Sequence, residues 1–182
     1  MNTTDYITRQ DMEHVFALLL PQNRLICRVA LQTGLRISDV LQLRTAALGQ
    51  RITVRESKTG KARRLYLPTD LLQQIKAQAG PVWAFPGAAG SKTGHKTRQA
   101  VWKDIQRARA ALRLRETVAP HSIRKIYAVE KMRRSGDLRT VQRLLLHSDP
   151  AITVIYAMAD SLTQARAQQR KAAARKKRKQ KR

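Results

Sequence analysis

RITVRESKTGKARRLYLP, residues 51–68, is the stretch that decides the fold. Its flanks, RITVRE and ARRLYLP, carry β-branched or aromatic residues in partial alternation, the period of a strand. SKTGK lies between them, and Gly60 permits a tight turn there. The reading is a β-hairpin with Lys58 near its tip, and with Tyr66, like Leu65, packed against the body.

Outward from the hairpin the texture is helical. Towards the N-terminus, Thr8 and Asp11 form a capping-box pattern ahead of MEHVFALLL. NRLICRVALQTG places Leu25, Ile26, Val29 and Ala30 at helical spacing, with Gly34 as its stop. RISDVLQL is a further short helix. Towards the C-terminus, DLLQQIKAQA reads as a helix and GPVWAFPGAAGSKTGHK as a Gly- and Pro-rich loop. RQAVWKDIQRARAALRL, APHSIRKIYAVEKMRRSG, DLRTVQRLLLHS and DPAITVIYAMAD then read as helices. The expected fold is α+β and mainly helical, with one small antiparallel sheet. The expected layout is one domain over residues 1–160 and a basic tail over 161–182, with no second core and no separate N-terminal domain.

The chain has 182 residues, with 37 Lys and Arg against 12 Asp and Glu, for a net charge of +25. A polyanion is the natural partner of such a chain, and nucleic acid the first candidate. Nine of those charges fall in the last thirteen residues, RKAAARKKRKQKR, so residues 1–169 keep +16. Cys27 is the only cysteine, which excludes a disulfide framework. The sequence has neither a long apolar run nor a signal-peptide plan, so a cytoplasmic protein is expected, without a membrane association.

Four pieces stand out for chemistry: TGLRISD with Arg36, ESKTGK with Lys58, HSIRK with His121 and Arg124, and LLLHSDPAITVIYAM with His147 and Tyr156. Each has a plain structural reading. The arginines could be surface charges, Lys58 a solvated turn residue, the histidines helix-end residues and Tyr156 a core residue.

Together, in this order and with His147 nine residues before Tyr156, they resemble the tyrosine recombinase (phage integrase) family. The resemblance runs from about Thr8 to Met158. It implies that Arg36 and Arg124 clamp a phosphate, and that Lys58 protonates the leaving 5′-oxygen. It implies that His121 and His147 contact the phosphate and assist proton transfer, while Asp39 buttresses the site. Tyr156 would be the nucleophile, forming a 3′-phosphotyrosyl link.

The chemistry is consistent with elementary requirements. Attack on a phosphodiester builds negative charge on the non-bridging oxygens, and guanidinium forks placed beforehand meet it. A tyrosine hydroxyl, with a pKa of about 10, needs a cationic surround or a base. The covalent link conserves the phosphodiester, so ATP is not needed. With two arginines in place no metal or other cofactor is expected.

Lys61, Arg63, Lys96, Arg98 and Lys125 are expected to touch DNA, as are Arg175, Lys176, Lys177, Arg178 and Lys179 of the tail. The implied partner is double-stranded DNA, with a monomer in free solution and a tetramer on DNA. Leu146 stands where the family usually has Gly, and Lys125 where it often has His. The short plan resembles the fimbrial-type invertases. The competing readings are a topoisomerase-like nicking and closing activity, a non-enzymatic DNA-binding protein (a degenerate recombinase or regulator), and an RNA-binding protein. His95 is read as solvated or phosphate-touching and Tyr127 as core. Trp83, Phe85 and Trp102 are too scattered for a base-stacking platform.

Overall fold

A computed structural model describes residues 5–88 and 94–145. The helices are α1 (Arg9–Leu18), α2 (Pro21–Thr33), α3 (Ile37–Leu41), α4 (Thr69–Gln78), α5 (Arg98–Ala111), α6 (Pro120–Ser135) and α7 (Leu138–Leu145). Between α3 and α4 lie a single 3-10 turn at Thr45–Ala47 and the strands β1 (Arg51–Arg55) and β2 (Ala62–Tyr66). The helix expected over DPAITVIYAMAD and the tail lie outside the described residues. Among the described residues no helix is long and apolar enough to cross a membrane.

The helix ends form as the sequence dictates. Thr8 Oγ1 accepts from the Asp11 amide at 3.1 Å and donates to the Asp11 carboxylate at 2.7 Å, which satisfies a backbone donor that the helix leaves open. Pro21 and Pro120 start α2 and α6, where a missing N–H costs nothing. α2 is the hub, packed against α1, α3, α4 and α6. Its Ile26, Cys27, Val29 and Ala30 are buried in one core with Met12, Phe16, Ile105, Ile123 and Ile126. Burial pushes the Cys27 thiol far up, so it stays protonated. A smaller cluster of Tyr127, Ala128, Val141 and Leu145 seats α7 on α6.

β1 and β2 pair antiparallel, from Arg51 opposite Tyr66 to Arg55 opposite Ala62. The strand period of two sends Ile52, Val54 and then Glu56 inward from the first arm. From the second arm it sends Arg63 and Leu67 fully inward and Leu65 partly so. Two expectations are corrected by that alternation. Tyr66 is 56% exposed rather than packed. Arg63, expected at an exposed, DNA-facing position, is buried.

Asp104 on α5 ties the helical layers together. It accepts from the Leu20 amide at 2.8 Å, from Asn23 Nδ2 at 2.7 Å and from Arg107 at 2.7 Å. Burial alone would raise its carboxyl, but the bonds from Asn23, Arg107 and Leu20 bring it below its ordinary value. Asp104→Ala leaves the buried Asn23 amide without this partner. We expect it to cost about 2–3 kcal/mol of unfolding free energy in urea melts. The contribution is complete above the ordinary carboxylate pKa and is lost as pH falls through the lowered one. The gap between wild type and variant should therefore close in acid, and a gap independent of pH would contradict this origin.

Candidate active site

Gly34 sets the geometry of TGLRISD. It ends α2 with φ +69°, and a Cβ there would lie 2.4 Å from the Tyr127 ring. Only glycine accommodates both the left-handed backbone and that close approach. The chain then turns into α3 with Arg36 at its cap position.

Arg36 donates to Glu56, which is fully buried at the end of β1. The other oxygen of Glu56 accepts from Arg63 at 3.1 Å, and Arg63 also donates to the Thr33 carbonyl at 2.9 Å. One carboxylate thus holds two guanidiniums, anchored to the end of α2. A buried carboxylate is tolerated only with such pairing. The sequence reading had passed over Glu56. The signal was present, because the alternation that buries Ile52 and Val54 carries on to Glu56.

Asp39, one turn along α3, is also buried. Its Oδ1 accepts from the Ser57 amide at 3.0 Å and the Ser57 hydroxyl at 2.6 Å, and its Oδ2 lies 4.0 Å from the Arg36 guanidinium. Ser57 precedes Lys58, which is exposed in the turn closed by Gly60, φ +66°. The Gly60 amide donates to the Glu56 carbonyl at 2.8 Å. Asp39 and Glu56 therefore fasten the hairpin tip to the helix that carries Arg36.

Arg124, in the second turn of α6, is 2% exposed. It donates to the carbonyls of Gly34 and Leu145, which joins the end of α2 to the end of α7. Arg36, Ile37, Ser38, Arg98, Pro120, His121 and Arg124 line one cleft of about 130 Å³. Its rim includes the first residues of α5 and α6, whose backbone N–H ends add partial positive charge. Three arginines, a histidine and two helix N-termini make a site for a small, multiply bonded anion.

Sequence segments far apart are thus brought together: Arg36 and Arg124 share the cleft with His121, and Arg98 joins them. Lys58 is not among the cleft's lining residues; it is exposed in the turn next to Ser57, which Asp39 holds. His147, Tyr156 and the tail residues Arg175, Lys176, Lys177, Arg178 and Lys179 lie outside the described residues. Lys61 is exposed, and Lys96 and Lys125 are half-buried. Burial pulls the Lys125 ammonium down, with Asp5 opposing. His95 is half-buried rather than solvated, edge-on to Trp83 with ring centres 4.9 Å apart. Tyr127 is core, as expected. Burial pushes its hydroxyl up, against the nearby Arg63 and Arg124, the wrong direction for a nucleophile.

The sequence profile described as the Phage integrase family matches residues 6–162. The chain belongs to the phage integrase family. The chain is 32% identical over 136 residues to tyrosine recombinase XerD of Rhizobium meliloti, covering 68% of the chain and 43% of that protein. It is 30% identical over 148 residues to tyrosine recombinase XerC of Mesorhizobium japonicum, covering 77% and 47%. The chain spans about half the length of the curated relatives it matches. Its fold is that of the tyrosine recombinase catalytic domain. XerH site-specific recombinase in a post-cleavage complex with palindromic difH substrate matches with a TM-score of 0.70 at 20% identity, over 90% of this chain and 52% of that one. A lambda integrase dimer bound to a COC′ core site matches with a TM-score of 0.71 at 18% identity, over 86% and 49%.

Proposed function

We propose that the chain is a site-specific DNA recombinase that cuts and rejoins strands through Tyr156, without metal or ATP. The observation that carries this reading is the convergence of Arg36, Arg124, His121 and Arg98 on one anion-sized cleft. In this account the scissile phosphate sits in that cleft. Arg36 and Arg124 are held in place by Glu56 and by backbone carbonyls before any substrate arrives. Their guanidinium charges face the non-bridging oxygens as negative charge builds there.

The Tyr156 oxygen attacks phosphorus and its proton passes to a neighbouring base, with His121 and His147 the candidates. As the new O–P bond forms, the bond to the 5′-oxygen breaks, and Lys58 gives that oxygen its proton. One phosphodiester replaces another, so the step reverses with a new 5′-hydroxyl. The proposed partner is double-stranded DNA in the cytoplasm, met by a monomer and recombined by a tetramer.

The test uses labelled nicked duplexes of randomised sequence, incubated with the full chain and quenched in SDS. Labelled DNA should migrate with the protein, and EDTA should leave the yield unchanged. DNA that binds natively but never resists SDS would favour the non-enzymatic DNA-binding reading instead.

The tail over 170–182 is assigned to the phosphate backbone. Each neutralised phosphate adds roughly 0.9 to the slope of log affinity against log salt. With about five contacts, truncation to residues 1–169 should lower that slope by about four or five. Cognate and random duplexes should weaken alike, because backbone contacts carry no sequence information. Titrations at several salt concentrations check this, and an unchanged slope would remove the tail from DNA binding.

A further inference from the structure

The arginine cleft continues sideways. Beyond Arg98 and His121 it opens into a larger cleft of about 570 Å³, lined by Arg98, Gln99, Trp102, Ala119, Pro120 and His121. The two clefts share Arg98, Pro120 and His121. Trp102 stands in the larger one with 46% of its surface exposed. Its neighbours on α5 explain why this is unusual. Val101, Asp104, Ile105 and Ala108 take the buried face, so the helix needs nothing apolar where Trp102 stands. Arg98, Gln99 and Trp102 are four and three residues apart, which puts them on one side of the first turns of α5.

The strip therefore runs from a guanidinium, past an amide, to an aromatic plate, with Ala119 and Pro120 opposite. It begins at the anion cleft itself. A sugar–phosphate unit has the matching order, an anionic phosphate joined to a largely apolar ring. A base is the poorer fit, because bases beside an intact duplex phosphate stay stacked on one another. Trp102 alone is also no platform for several bases.

We propose that Arg98, Gln99 and Trp102 form a subsite for the deoxyribose and phosphate of the nucleotide flanking the scissile phosphate. Arg98 meets the flanking phosphate, Trp102 and Pro120 cover the sugar, and Gln99 bonds its ring or ester oxygens. The subsite aligns the strand so that the scissile phosphate enters between Arg36 and Arg124. It reads no sequence. The proposal rests on the reading of the arginine cleft as a phosphate site.

The chain holds two tryptophans, which makes the test direct. The other, Trp83, lies under the Arg44 guanidinium, 3.8 Å from its ring centre. A short fluorescein-labelled duplex of arbitrary sequence is titrated at low salt, and its anisotropy reports binding. Acrylamide quenching of tryptophan emission is measured with and without unlabelled duplex, in the wild type and in Trp102→Phe. At saturating duplex the wild type should become markedly harder to quench, and Trp102→Phe should show little change. Trp102→Ala should bind two unrelated duplexes about tenfold more weakly, on the scale of losing part of one buried apolar side-chain contact, and Trp102→Phe should recover most of that loss. Duplex that binds while Trp102 stays as open to acrylamide as before overturns the subsite and leaves the DNA-binding reading standing. No duplex binding at all overturns both. Shielding of Trp102 on raising protein concentration without DNA would mean that a second copy covers it, and would also overturn the proposal.

Discussion

Arg36→Lys and Arg124→Lys are each expected to slow DNA cleavage about a hundredfold or more, on the scale of a lost donor to a developing oxyanion. Charge is kept in both variants, so what changes is the fork. A lysine ammonium is a point charge on a flexible stem and cannot offer parallel N–H bonds to two oxygens. At Arg36 the replacement also loosens the grip of Glu56, whose second oxygen stays on Arg63. At Arg124 it forfeits one of the two backbone carbonyls now bridged, those of Gly34 and Leu145. That should lower stability by about 1–3 kcal/mol, so thermal melts must accompany the kinetics. DNA affinity and its salt slope should hardly move in Arg36→Lys, since the number of positive charges is the same. Glu56→Gln keeps the size and a hydrogen-bond acceptor but removes the negative charge that fixes Arg36. It should fall between wild type and Arg36→Lys in the rate of adduct formation. The readout is the rate of SDS-resistant adduct formation at saturating protein. Wild-type rates in both arginine variants would mean that the cleft does not hold the scissile phosphate.

The hairpin shows how far the residues alone could be read. Its two arms, its turn and Lys58 in that turn are local matters of β-branched alternation and one glycine, and these were legible. The inward partner of the alternation was not. A charged residue on the buried face of a strand is stable only when another charge meets it, and the partners of Glu56 and Arg63 come from α2 and α3, outside the hairpin. The same limit misplaced Tyr66, because which of two adjacent residues faces the core depends on where the helices sit. Helix ends fared better, since Thr8 and Gly34 act within one turn of their own position. Arg36, His121 and Arg124 were singled out by the order of motifs rather than by any local signal. Their meeting in one cleft follows from α2 packing on α6, with Gly34 lying against the Tyr127 ring. Trp102 could be recognised only once the buried face of α5 was known.

Tyr156→Phe is expected to abolish the covalent adduct altogether. The change removes one oxygen and little volume, so the variant should fold and bind duplex with wild-type affinity and salt dependence. Two of the other tyrosines are poorly placed to replace the lost nucleophile. Tyr127 is 5% exposed with its hydroxyl held towards the protonated form, and Tyr66 points away from the core on the hairpin. The direct measurement is to trap the wild-type adduct on nicked duplex in SDS, digest it with protease and nuclease, and locate the nucleotide-bearing residue by mass spectrometry. The account predicts a phosphonucleotide on the peptide that contains Tyr156, and no modified peptide from Tyr156→Phe. A nucleotide on any other residue, or an adduct formed by Tyr156→Phe at the wild-type rate, would contradict it.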